Sequence, residues 1–276
     1  VAESTKVTDA AFARALAAAR RVLAAVPAGL LTDLDGTLAP IVRNPSTARL
    51  ADGAADVLAA LVRNLAVVAV VTGRAAGDAR RMVAQPSVVV VGNHGVEWLL
   101  PGADAPSIAP HLVDAPSALG RLLASLPVER GVTVDDKRYS ATVHYRRAAD
   151  PAGARERILT ALRSTVRSAG ERAIELHEGR MSVELRPAGA GDKGSALREL
   201  VERFGLRGIL VLGDDVTDLD MFRAAAELRA GGELDAAIIA VGGDAPSEVP
   251  AGVLAAADEV LAGPDEVVRL LGAALA

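Results

Sequence analysis

The sequence predicts an α/β fold in which a doubly wound parallel sheet carries a second, smaller α+β unit as an insertion. Three observations point to it. Short apolar runs end at residues 31, 71 and 91, each stopping at a polar, glycine-bearing loop, with helical patterns between the runs. After residue 100 this rhythm breaks at Pro101, Pro106, Pro110 and Pro116, and the strands that follow alternate polar and apolar residues. Beyond Pro187 the first rhythm resumes, so the second unit interrupts the first.

Residues 8–26 carry strong helix formers with Phe12, Leu16 and Leu23 at helical spacing, a leading helix ended by Pro27 and Gly29. The first buried strand then runs to Asp33. Residues 51–64 place Val57, Leu58, Leu61 and Val62 on one helical face, and 65–71 form a second strand stopping at Thr72-Gly73-Arg74. A helix over 75–84 leads to a third strand at 88–91, which stops at Gly92-Asn93-His94-Gly95. Residues 101–116 lack periodicity and read as a linker. The inserted unit has a helix over 116–126, strands over 131–135 and 139–146, a helix over 151–169, and a hairpin of 173–177 and 181–186 turned at Glu178-Gly179. Helix, strand, strand, repeated, gives a four-stranded sheet with two helices on one face and the other face free. The core resumes with a helix over 194–204, a buried strand over 208–212, a helix over 218–227 and a fifth strand over 236–241. A closing helix over 264–275 holds Pro264, Asp265 and Glu266 in its first turn. The expected division is a Rossmann-like core from 1–108 and 188–276, with the inserted unit at 109–187.

Composition narrows the function. Apolar residues make up 51% of 276 and aromatics only 2%, so aliphatic packing builds the core and stacking on exposed rings is a poor ligand strategy. A net charge of −5 argues against a nucleic-acid scaffold. With no cysteine there is no disulfide, thiol catalysis or cysteine zinc site. The apolar stretches are too short to cross a bilayer and no signal-peptide pattern appears, so the expected location is cytoplasmic, with no membrane partner.

The chemistry gathers at strand ends. In Leu30-Leu31-Thr32-Asp33-Leu34-Asp35-Gly36-Thr37-Leu38 a strand stops on two carboxylates one residue apart. Residues two apart on an extended backbone point the same way, so Asp33 and Asp35 converge on one ligand. A divalent cation would relieve their repulsion and leave one oxygen as a nucleophile. Taken alone, an Asx-type turn accounts for the same residues. Residues 213–220 hold Asp214, Asp215, Asp218 and Asp220 at the end of another buried strand. Helix capping explains that loop alone, but together with Asp33 and Asp35 it suggests an all-oxygen site for a hard cation, Mg²⁺ being the usual choice beside phosphate. Thr72-Gly73, at a strand end before a helix, offers a hydroxyl and backbone N–H groups to an anion, or serves as an ordinary cap. Lys193 stands in Gly189-Ala190-Gly191-Asp192-Lys193-Gly194, whose glycines match a dinucleotide fingerprint. The preceding strand alternates Ser182, Glu184 and Arg186 and is followed by Pro187, which rejects that fingerprint; Lys193 reads better as a point charge on a phosphate.

Asp33-Leu34-Asp35-Gly36-Thr37, Thr72, Lys193 and Gly213-Asp214 with Asp218 resemble, in order, the four motifs of the haloacid dehalogenase-like phosphatases, and the inserted unit resembles their larger type of cap. More narrowly, Gly92-Asn93-His94-Gly95-Val96-Glu97, Asp135-Asp136-Lys137, His144-Tyr145-Arg146, His177-Glu178-Gly179-Arg180 and Glu184-Leu185-Arg186-Pro187 resemble the trehalose-6-phosphate phosphatases. Arg180 stands where that family often has lysine, and Leu219 replaces a frequent acidic residue. The resemblance implies hydrolysis of trehalose 6-phosphate, the last step of trehalose synthesis. Asp33 is then the nucleophile that becomes a phosphoaspartate, Asp35 the general acid/base, and Thr72 and Lys193 the holders of the phosphoryl oxygens. It also implies Mg²⁺ held by Asp33, the Asp35 main-chain carbonyl and Asp214, with Asp218 and Asp215 in support. Gly73, Arg74, Asn93, His94, Lys137, Arg146, Arg180 and Glu184 become substrate contacts, and the expected partner is a small sugar phosphate, not nucleic acid or membrane. Each cap charge alone is equally a solvated strand face. A phosphatase for sucrose 6-phosphate or glucosylglycerol phosphate is the related alternative. A non-catalytic sugar-phosphate sensor is a further one, which would normally have lost Asp33 or Asp35.

Overall fold

A computed structural model describes residues 2–42, 44–168, 174–179, 181–242 and 249–275, without the side chains of residues 2–8 and 168. In chain order the larger elements are α1 (Ala2–Leu23), β1 (Ala28–Thr32), α2 (Ala54–Asn64), β2 (Val67–Val71), α3 (Ala76–Val83), β3 (Val89–Gly92), β4 (Glu97–Leu99) and the two-residue β5 (Ser107–Ile108). Then come α4 (Ala115–Ala124), β6 (Thr133–Asp136), β7 (Ala141–His144), α5 (Pro151–Ser168), β8 (Ile174–Gly179) and β9 (Ser182–Pro187). The chain closes with α6 (Lys193–Phe204), β10 (Gly208–Gly213), α7 (Leu219–Ala230), β11 (Asp235–Val241), α8 (Ala251–Ala256), β12 (Glu259–Leu261) and α9 (Pro264–Ala274). It divides into two compact units, Val1–Pro106 with Asp192–Ala276, and Ser107–Gly191.

In the larger unit the strands run β12-β11-β10-β1-β2-β3-β4, every neighbouring pair parallel except β3 with β4. All five residues of β1 and of β2 are buried, as are all six of β10. Such solid apolar runs belong to strands covered on both faces. Successive residues then serve opposite faces. Leu30, Val68, Val70, Leu210 and Leu212 pack with Ala19, Leu58, Leu61, Val83 and Leu270 of α1, α2, α3 and α9. Leu31, Ala69, Val71, Ile209 and Val211 pack with Leu197, Leu200, Met221, Phe222 and Val253 of α6, α7 and α8. The connections leave β1 on opposite sides, toward β2 and β3 on one and β10 to β12 on the other. That reversal opens a crevice beyond the carboxyl ends of β1 and β10.

The smaller unit has the antiparallel sheet β6-β7-β9-β8. Ala141, Val143, Val183 and Leu185 are buried, while Thr142, Ser182, Glu184 and Arg186 between them keep partial access to water. Buried Leu119 and Leu122 of α4 and Ile158 and Leu162 of α5 supply helix packing for the unit, and α4 contacts α5 and β8. β6 departs from the expected alternation: all four of its residues, Val134 included, are exposed.

Other expectations shift at element ends. α1 begins at Ala2, earlier than residue 8, and stops at Leu23, since Pro27 forbids helix in the residue before it. The stretch 101–116 is not a bare linker, for β5, a 3-10 turn at Pro110–Leu112 and the start of α4 lie in it. The β8–β9 hairpin pairs Glu178 with Val183 and Gly179 with Ser182, so the residues expected at its turn are in the strand. β4, α8 and β12 were not expected at all.

Candidate active site

Loops after β1, β2, β3 and β10 all leave the same end of the sheet, and the first helical residue of α6 points back into them. Thr32 pairs with Leu212, and the Asp33 N–H continues the ladder by donating to the Leu212 carbonyl at 3.0 Å. This fixes Asp33 beside Asp214. Gly36, at φ +88°, lets the loop turn against that neighbour: a Cβ there would stand 2.0 Å from Asp214 Oδ2. The Thr37 hydroxyl donates to Asp214 Oδ1 at 3.2 Å.

Lys193 is the central cation. Its Nζ donates to Asp33 Oδ1 at 2.8 Å and to Asp218 Oδ1 at 2.7 Å, and the residue is only 2% exposed. Asp218 Oδ2 accepts the Asp214 and Asp215 N–H groups at 2.9 and 3.0 Å. Asp218 thus organises the loop and anchors the lysine. Asp192 caps α6, accepting the Ser195 N–H at 2.7 Å while Ser195 Oγ accepts the Asp192 N–H. Its own carboxylate fills the helix start where a dinucleotide pyrophosphate would sit, which bears against that rival reading.

Ligand oxygens of Asp33, Asp214 and Asp218 lie within 4.8 Å of one another, all three residues buried. Burial, then the Asp218 charge, pushes the Asp33 carboxyl up to about 7 against the pull of Lys193. Burial, then Asp33 and Asp218, pushes Asp214 up to about 9. For Lys193 burial disfavours the charge, but Asp218 and Asp33 outweigh it and hold the ammonium charged beyond the ordinary lysine range. Three buried carboxylates against one ammonium, all oxygen donors, fit a hard divalent cation. Asp215 stands apart: it is exposed, and its Oδ1 accepts the Val216 N–H at 2.7 Å.

The other core residues surround this cluster. Asp35 follows in the β1 loop, with its carboxylate gripped by Arg74 through two hydrogen bonds of 2.6 Å. Thr72 is buried, and its Oγ1 accepts the Arg74 N–H at 3.2 Å, which leaves its proton to donate. The β3 loop is tied to the β2 loop, Asn93 donating to the Arg74 carbonyl at 2.7 Å and His94 to the Thr72 carbonyl at 3.0 Å. Asn93 and His94 both hold positive φ, 49° and 59°. A Cβ on Gly73 would lie 2.5 Å from His94 Nε2, so only glycine admits the imidazole there.

A family model for trehalose-phosphatase matches residues 31–248. The chain belongs to the trehalose-phosphatase family. The trehalose-phosphate phosphatase of Mycobacterium tuberculosis is 36% identical over 221 residues, 76% of this chain and 54% of that protein. The chain spans about half the length of the trehalose-phosphate phosphatases it matches, and 16% of a longer mycobacterial relative. The C-terminal domain of Candida albicans trehalose-6-phosphate phosphatase has the same fold, with a TM-score of 0.70 and 22% identity over 93% of this chain and 96% of that one. The trehalose-6-phosphate phosphatase of Aspergillus fumigatus has a TM-score of 0.65 and 26% identity over 94% and 97%.

The expected sugar contacts of this family member lie in the smaller unit. Lys137 heads the β6–β7 turn, its N–H donating to the Ser140 carbonyl at 2.9 Å and its Nζ 3.8 Å from Asp135. Glu184 sits mid-strand opposite Thr142, which in turn faces Asp135, and it accepts from Arg186 at 2.6 Å. Arg146 is exposed just past β7. Arg180 lies outside the described residues. Two contributors had no role in the sequence reading: Thr37, and the buried Glu97, whose Oε2 accepts the Ala76 N–H at 2.6 Å and caps α3. Both stand inside quoted motifs, but nothing in a motif says which backbone group a side chain will meet.

Proposed function

We propose that this chain is a Mg²⁺-dependent phosphatase that hydrolyses trehalose 6-phosphate to trehalose and phosphate through a phosphoaspartate on Asp33. The observation that carries this reading is Lys193, buried between Asp33 and Asp218 beside Asp214 at the open end of the sheet. An ammonium so placed fixes the nucleophile's carboxylate and stands ready to hold a phosphoryl oxygen as charge shifts onto it. Asp33 attacks phosphorus, and Asp35 gives a proton to the departing sugar oxygen. Asp35 then takes a proton from the water that cleaves the phosphoaspartate. Thr72 donates its hydroxyl proton, and the N–H groups of the β2 loop assist. Mg²⁺ would be held by Asp33, Asp214 and the Asp35 carbonyl, with Asp218 in support, and would offset the negative charge that phosphate adds to the cluster.

Substrate choice is assigned to Asn93 and His94 in the core and to Lys137, Arg146, Arg180 and Glu184 in the inserted unit. Charged and amide groups that pair with several hydroxyls reject smaller sugars by leaving their own groups unpaired. No helix among the described residues is long and apolar enough to cross a membrane. A cytoplasmic setting is part of the same proposal, supported by the absence of cysteine.

The test is phosphate release from trehalose 6-phosphate, sucrose 6-phosphate and glucose 6-phosphate, with Mg²⁺ or with EDTA, beside Asp33→Asn. Metal-dependent turnover of the trehalose ester alone, lost in the variant, supports chemistry and substrate together. Turnover of another ester keeps the mechanism and overturns the substrate. Absent turnover restores the sensor reading.

A further inference from the structure

Asp35, like Asp215, lies outside the buried cluster, and a different cation holds it. Arg74 Nε donates to Asp35 Oδ2 and Nη2 to Oδ1, each at 2.6 Å, and Nη2 also reaches the Pro45 carbonyl at 3.0 Å. The arginine's backbone is fixed from both sides, by Thr72 Oγ1 on its N–H and by the Asn93 N–H on its carbonyl. A planar fork mounted this way sets both the place and the plane of the carboxylate it grips. The side chain expected among the substrate contacts thus grips the proposed acid/base.

We infer that Arg74 is the positioning residue of Asp35, an inference that rests on the phosphatase reading above. Its fork stations the carboxyl group in the nucleophile's loop and keeps it aimed while a proton passes to the departing sugar oxygen. In that step the Asp33 oxygen bonds to phosphorus, the ester P–O bond breaks, and its electron pair stays on the oxygen that receives the Asp35 proton. In the second step the attacking water gives its proton to Asp35 as its oxygen displaces Asp33 from phosphorus, which returns both residues to their starting states. Rigid placement of a proton donor is worth as much as the donor's own chemistry, because misplacement removes it from reach.

The experiment compares kcat/KM for two esters in Arg74→Ala, Arg74→Lys, Asp35→Asn and the Arg74→Ala/Asp35→Asn double variant. Trehalose 6-phosphate has a poor alcohol leaving group that needs the proton; 4-nitrophenyl phosphate has a good one that does not. Arg74→Ala is expected to lose about 100-fold on the sugar ester and at least about tenfold less on the aryl ester. Arg74→Lys should recover part of the selective loss. The double variant should be no worse on the sugar ester than Asp35→Asn alone, since residues acting as one unit are not additive. The ratio of the two esters is read within one preparation, so a fraction of unfolded variant cancels. Equal losses on both esters, or a double variant worse by the product of the single losses, would assign Arg74 to the phosphoryl group and overturn the inference alone. A wild-type chain inert toward both esters would overturn the phosphatase reading and this one with it.

Discussion

Lys193→Met tests the charge balance of the site most directly. The side chain is nearly isosteric and 2% exposed, so packing is kept while the ammonium is removed from carboxylate oxygens 2.8 and 2.7 Å away. With an effective dielectric near 20, each such pair is worth roughly 6 kcal/mol before desolvation is subtracted. Removing one partner of a buried ion pair typically costs about 3–5 kcal/mol net, because the charges left behind have no counterpart. For a chain of this length about 2 °C of melting temperature corresponds to 1 kcal/mol, so the metal-free variant should melt about 6–10 °C lower at pH 8. The sign with pH follows from Asp33 and Asp214, raised to about 7 and about 9: at pH 5 both hold protons and the lysine has less charge to neutralise. The deficit should therefore shrink at pH 5. Calorimetric or circular-dichroism melting in EDTA at both pH values measures it. A drop under about 2 °C at pH 8, or an equal drop at pH 5 and pH 8, would refute the assignment of Lys193 as the counter-ion of this cluster.

Three further outcomes are expected. Carboxyl groups whose folded pKa is raised add stability at low pH and lose it as pH rises through about 7 and about 9, so metal-free melting should fall from pH 5 to pH 9. Added Mg²⁺ should consequently raise the melting temperature more at pH 9 than at pH 5; a shift independent of pH in a melting series would count against a cation in the Asp33–Asp214 pair. Gly36→Ala places a Cβ 2.0 Å from Asp214 Oδ2 on a backbone at φ +88°, and should cost about 1–3 kcal/mol while weakening Mg²⁺ binding at least about tenfold by titration calorimetry. Glu97→Gln removes the charge from the bond to the Ala76 N–H and should cost about 1–2 kcal/mol in urea unfolding.

The core was legible because its strands are buried on both faces, which turns them into uninterrupted runs such as Val67–Val71 that no helix period explains. Where burial is one-sided or pairing is brief the signal fades. β4 has three residues behind a turn with two non-glycine positive φ angles, β12 has three residues, and α8 is a six-residue piece of alanine, glycine, valine and leucine. The acidic loops were legible only together, since each alone reads as a cap or turn while like charges gathered at two adjoining strand ends favour a cation between them.

What the residue order could not show is how two aspartates two positions apart come to differ. Asp33 meets Lys193, 160 residues away, and Asp35 meets Arg74, 39 residues away. One pairing is buried and shares its ammonium with Asp218; the other is half-exposed and bidentate. A buried carboxylate held at one oxygen by a fixed ammonium keeps an attacking direction, as a nucleophile requires. One gripped at both oxygens by a fork keeps its place and plane, as a proton carrier aimed at one leaving oxygen requires. The two proposed roles therefore rest on the two cations that the β2 loop and α6 bring to the site, and Lys193→Arg or Arg74→Lys should damage the role there even though charge is conserved.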